Sequence, residues 1–151
     1  FDSFKPQELS NTLWACAIVG YTDERLFSAF AQAIGSKLDE CNGQDLTNIA
    51  WAYSVVNVPS QDLFNECYVG ALASRENAFS EEDLSQLHQW QLWQQELESG
   101  IELPQSLQEK CRNAFISPAI PNPDYKMTLL GNSGRPGLML MRKCCLGAGI
   151  E

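Results

Sequence analysis

The 151 residues contain one histidine, His88, and six cysteines: Cys16, Cys41, Cys67, Cys111, Cys144 and Cys145. With one imidazole there is no choice of general base for a nucleophilic triad and no histidine-rich metal site. His88 is therefore expected to pack or cap within a helix. The adjacent pair Cys144 and Cys145 has no second pair at zinc-binding spacing. The strings GNSGRPG and GAG near the end do not give GxxxxGK[ST], nor does the first follow a clear strand and open a helix, so neither reads as a phosphate-binding loop. The residues point to no catalytic group, no metal ligand and no cofactor. What remains are the amides Asn11, Asn48 and Gln86. They recur at one position of a repeated segment, and a side-chain amide is able to pair with the edge of a nucleobase. Bonding between neighbouring segments, or plain solvent exposure, is the competing role for the same three residues.

The elements that carry these amides are visible as a repeat. LSNTLWACAIVG (9–20) and LTNIAWAYSVVN (46–57) lie 37 residues apart, and setting Leu9, Leu46 and Leu84 as equivalent gives a register of 37 and then 38 residues. Identities at Gln7/Gln44, Leu9/Leu46, Asn11/Asn48, Trp14/Trp51, Ala15/Ala52, Val19/Val56, Leu26/Leu63 and Phe27/Phe64 fall in two clusters, one per expected helix. Capping chemistry opens each unit: Asn42 or Ser80 with an acid three residues on, Asp45 or Asp83, and in the first unit Lys5 followed by Pro6 and Glu8. First helices are thus predicted from about residues 6, 43 and 81. Being apolar nearly all round, they read as buried on several sides, with Trp14 and Trp51 in the core.

A break at GYTDE or NVPSQ precedes a second helix with Leu26, Phe27, Phe30, Ala33, Ile34 and Leu38 at spacings of three and four. The second copy keeps Leu63, Phe64, Cys67, Ala71 and Leu72. In the third, Leu107 aligns with Leu26 only after about six extra residues, so either the helix hairpin there is longer or its loop is. The predicted fold is all-α: an α-solenoid of antiparallel helix pairs, with repeats over 5–41, 42–79 and 80–116. The proline-rich SPAIPNP ends the helical pattern at residue 117, and 117–151 reads as a flexible Pro/Gly tail.

These segments, with LSQLHQWQLWQQE and LPQSLQEKCRNAF, resemble the octotricopeptide-like helical repeats of RAP-domain proteins, relatives of the FAST kinase-like organellar RNA-binding proteins. The resemblance covers residues 4 to about 115. It implies a protein of mitochondria or plastids that binds single-stranded organellar transcripts along the repeats and supports their processing, stability or translation. In such proteins the RAP domain, with its endonuclease-like look, follows the segment matching LPQSLQEKCRNAF. Here the chain continues into ISPAIPNPDYKMTLL, where no such domain is found, so nuclease activity is not expected.

Charge pulls the other way. The formal net charge is −9, and residues 1–115 hold 6 bases against 17 acids. An acidic surface repels phosphate backbones unless its cations are clustered. The repeats offer only Lys5, Arg25, Lys37, Arg75, Lys110 and Arg112, of which Arg25, Lys37 and Arg75 are the candidates to join the amides in RNA binding. The alternative is a protein-interaction scaffold of the same fold. The longest apolar run, Leu13 to Val19, is too short to span a bilayer, so no membrane partner and no small-molecule substrate are expected. Irregular cysteine spacing fits a reducing compartment. The opening residues read as lying within a repeat, which leads us to expect a fragment of a longer product and leaves targeting undetermined.

Overall fold

The computed structural model describes residues 2–116, and within them every regular element is helical. Expectations for 117–151, including the tail, the glycine strings and the Cys144–Cys145 pair, lie outside the described residues. The elements are α1 (Pro6–Val19), α2 (Glu24–Gly35), α3 (Gly43–Val56), α4 (Glu66–Ala73), α5 (Glu81–Glu96) and α6 (Gln105–Ile116). Short 3-10 turns follow α2 at Leu38–Glu40 and α4 at Glu76–Ala78. No described helix is long and apolar enough to cross a membrane.

The first helices begin where the capping residues predict. Asn42 Oδ1 accepts from the Asp45 N–H at 2.8 Å while Asp45 Oδ2 accepts from the Asn42 N–H at 3.1 Å, and Ser80 and Asp83 repeat the exchange at 3.1 and 3.0 Å. Lys5 has no acceptor, so only half of this box forms at α1, through the Lys5 N–H and Glu8 Oε2 at 2.8 Å. Helices α1 and α3 end alike. Gly20 and Asn57, 37 positions apart, both take the left-handed conformation (φ 72° and 56°), and the next N–H closes back on the Cys16 and Tyr53 carbonyls.

Helix α3 packs between α1 and α5, and α6 packs against α5. One bond recurs between neighbours: Ser10 Oγ donates to Asp45 Oδ1 at 3.2 Å, and Thr47 Oγ donates to Asp83 Oδ1 at 2.9 Å. The capping acid of each later unit thus also accepts a hydroxyl from the unit before, and this holds the helices in the 37- to 38-residue register. Behind them an aromatic chain crosses all three units: Phe27, Tyr53, Phe64 and Tyr68 meet edge to face with centroids 5.0–5.2 Å apart, and Phe64 continues to Trp90 at 5.4 Å. The tyrosine hydroxyls stay satisfied in this core by donating to the Phe27 and Leu46 carbonyls.

Two expectations are corrected. Trp14 is 41% exposed whereas Trp51 is 1% exposed, although the rings stack on each other with centroids 6.3 Å apart. Trp51 lies in the middle helix, with first helices on both sides; among the described residues α1 packs against one first helix, α3. Cys67, placed by sequence on the apolar face of the second helix of its unit, is exposed. Helix α4 starts only at Glu66, capped by Asn65, and its buried face is carried by Tyr68 and Leu72, continuing from Phe64 in steps of four. In α2 the corresponding face follows Phe27, Phe30 and Ile34. The late start turns α4 by about one residue and points Cys67 outward. In the third unit the extra residues are shared between a longer α5 and the loop 97–104. Buried Gln91 holds that loop by donating to the Ile101 carbonyl at 3.1 Å and accepting from the Leu103 N–H at 2.7 Å.

Candidate nucleic-acid interface

The bond register that pairs Ser10 with Asp45 and Thr47 with Asp83 also sets Asn11, Asn48 and Gln86 at one level of three neighbouring helices. Asn11 is exposed, and Asn48 and Gln86 are half-buried. Among the described residues, none of the three side chains forms a hydrogen bond to a neighbouring unit. Gln86 Oε1 is itself buried and accepts nothing, and the indole N–H groups of Trp51 and Trp90 are likewise buried without an acceptor. The part-exposed Trp14 ring lies one turn after Asn11 on the same helix. Asn11 and Asn48 thus leave their amides unengaged beside the open face of Trp14, whereas the Gln86 carbonyl oxygen is closed off from solvent.

The basic residues behave differently. Lys37 Nζ donates to the Asp2 and Phe4 carbonyls at 2.9 and 2.6 Å, and Arg75 Nη2 donates to the Asp39 and Leu38 carbonyls at 3.2 and 3.5 Å. Asp2 and Asp39 are 37 residues apart, so this is a second repeating link, tying the end of each second helix to the backbone entering the first. A third cation near the same level, Lys110, pairs with Glu76 Oε1 at 3.1 Å and reaches Asn77 Oδ1 at 3.3 Å. Arg75 and Lys110 therefore brace neighbouring units, and Lys37 ties the end of α2 to the segment entering α1. Arg25 is exposed in the first turn of α2, with no ionic partner among the described residues. Sequence reasoning did not separate bracing cations from free ones; the repetition of a basic residue just after the second helix was the signal available for it.

His88 stacks against Phe115 at 4.8 Å between centroids. Burial lowers its pKa, and the Arg112 guanidinium lowers it further. A depressed folded-state pKa means that the unfolded chain takes up this proton first as pH falls. Stability from this site is whole above about pH 6.5, the ordinary histidine value, and declines below it. We expect the thermal midpoint to fall between pH 7.5 and 5.5 by more in the parent than in His88→Gln, measured by circular dichroism; equal falls would contradict the assignment.

Burial pushes the Cys41 thiol up to about 11 and Cys111 up to about 12, so both stay protonated near neutrality. Among the described residues no three His, Cys, Asp or Glu side chains are grouped to hold a metal ion. A cleft of about 330 Å³ between the second and third units is lined by neutral groups, among them Ser60, Gln61, Asn65 and Ser99. A second, of about 390 Å³, lies beside Glu102, Glu109 and Arg112.

Comparison with protein-family models, with curated proteins and with solved structures found no match.

Proposed function

We propose that this chain is the RNA-binding helical-repeat segment of an organellar RNA processing, stability or translation factor, with no catalytic chemistry of its own. It is built as an α-solenoid of antiparallel helix pairs. The observation that carries this reading is the pair Asn11 and Asn48, one amide in each of the first two units at one level, unengaged by neighbouring units, beside the open face of Trp14. Periodic amides suit the reading of successive unstacked bases, and an exposed indole suits base stacking. The resemblance to octotricopeptide-like repeats supports it and is the only support for mitochondria or plastids. Arg25 and the residual charge of Lys37 and Arg75 supply the phosphate contacts.

A second reading, a protein-interaction scaffold, is favoured by one observation: three of the six cations in residues 1–115 are already held by protein oxygens, two of them across neighbouring units.

Salt separates the two. With two or three cations engaged, affinity for single-stranded RNA falls roughly tenfold between 50 and 200 mM salt, by the counterion-release slope for single strands. Fluorescence anisotropy on the full chain measures this, and absence of salt-sensitive binding at micromolar concentration favours the scaffold. Replacing Asn11 and Asn48 together with alanine is expected to weaken or broaden RNA preference and leave the thermal midpoint nearly unchanged. A large fall in the midpoint would assign both residues to packing instead.

A further inference from the structure

The cleft of about 330 Å³ between the second and third units is built from the segment before α4 and from the end of α5 with the loop that follows it. Its third-unit wall alternates: Leu97, Ser99 and Ile101 line the cleft, while Glu98 and Glu102 stand exposed beside it. Glu98 (φ 53°) and Gly100 (φ 77°) both take the left-handed conformation in this wall. Ser99 is fixed by donating its N–H and its hydroxyl to the Gln94 carbonyl at 3.2 and 3.3 Å. Trp93 Nε1 donates to Asn57 Oδ1 at 2.9 Å, which ties the end of α3 to α5. One lining residue is not explained by packing. In the 38-residue register Gln94 stands where α3 has Val56, and Val56 stands where α1 has Val19. Gln94 is 3% exposed, and its side-chain amide forms no hydrogen bond among the described residues. A buried amide without a partner destabilises a fold, and valine serves the equivalent position of the other units without that cost.

We infer that this cleft seats a short uncharged segment of a partner protein, flanked by Lys or Arg, whose backbone pairs with the Gln94 amide. The amide offers one donor group and one acceptor. The C=O and N–H of a single residue, presented on one side by an extended chain, complement both. Phe64, Leu97 and Ile101 give an apolar side chain of the segment a surface to cover, and the neutral lining admits a peptide without desolvating a charge. Charge around the cleft selects the flanks. Asp62, Glu66, Glu98 and Glu102, each next in sequence to a lining residue, are exposed. The single lysine or arginine between residues 43 and 109 is Arg75, which is engaged by the Leu38 and Asp39 carbonyls. A phosphate backbone is therefore repelled here, whereas basic flanks are attracted. The inference does not rest on RNA binding. Asn11, Asn48 and Trp14 do not line the cleft, so an occupant leaves them open.

The probe is a pool of capped tetrapeptides, acetyl-Lys-X-Z-Lys-amide, with X and Z each leucine, alanine, serine or asparagine. It is titrated into the isotope-labelled full chain to about 10 mM, which covers millimolar affinities, and followed by NMR. The side-chain amide signals of Gln94 and the backbone signals of Ser60, Leu97 and Ser99 are expected to shift together. A pool with glutamate in place of lysine is expected to bind at least about tenfold more weakly. Gln94→Val is expected to weaken binding of the lysine pool at least about tenfold and to raise the thermal midpoint, a combination that loss of folding does not produce. Three results overturn the inference. The lysine pool leaves these signals unmoved, or Gln94→Val lowers the midpoint and binds as the parent does, which assigns Gln94 to packing. In the third, single-stranded RNA displaces the pool from these residues, which makes the cleft a nucleic-acid site.

Discussion

Truncating Trp51 to alanine is expected to cost about 3–5 kcal/mol of stability, and the same change at Trp14 no more than about 1 kcal/mol. The two residues are repeat-equivalent and stack on each other, so side-chain identity cannot separate them. Their surroundings do. Trp51 is enclosed by the row of first helices, and its loss leaves a void that α1 and α5 cannot close without breaking the Ser10–Asp45 and Thr47–Asp83 register. Trp14 lies at the end of that row, and water fills the space it leaves. Urea denaturation followed by circular dichroism measures both; a loss under about 1 kcal/mol at Trp51 would refute its place in the core.

The second large effect is expected at Asp45. Alanine there removes the acceptor for the Asn42 N–H and for the Ser10 hydroxyl, and the latter is left buried with only its 3.4 Å contact to the Gln7 carbonyl. An unsatisfied buried donor and a lost helix cap together give a cost of about 2–3 kcal/mol. Glu8→Ala, at the equivalent position on α1, where Glu8 is exposed, removes a cap only and is expected to cost about 0.5 kcal/mol. Asp45→Asn keeps an acceptor and is expected to fall between them. Equal costs at Asp45 and Glu8 would show that the hydroxyl link between units contributes nothing.

These pairs also mark how far the sequence could be read. Helix starts at Pro6, Gly43 and Glu81 were legible because a cap is local: Asn42 and Asp45, or Ser80 and Asp83, meet within one turn whatever lies around them. The register was legible because packing of like units requires like residues at like positions. The amides Asn11, Asn48 and Gln86 were legible as a ladder for the same reason. Their lack of engagement was not, since it depends on which groups of adjacent helices come within reach.

By itself, then, the sequence determined an all-α chain of repeated helices with their caps, their apolar faces and the 37- to 38-residue step. Only the tertiary structure decided that Trp51 is enclosed and Trp14 open, that Lys37 ties α2 to the segment entering α1 while Arg75 braces neighbouring units, and that the late start of α4 turns Cys67 outward and Tyr68 inward. The physical reason is range. Hydrogen bonds within a turn and side chains three or four residues apart are set by neighbours in the chain. Burial and long side-chain reach are set by whatever packs from 35 or more residues away, and α1 differs from α3 in that surrounding more than in its letters.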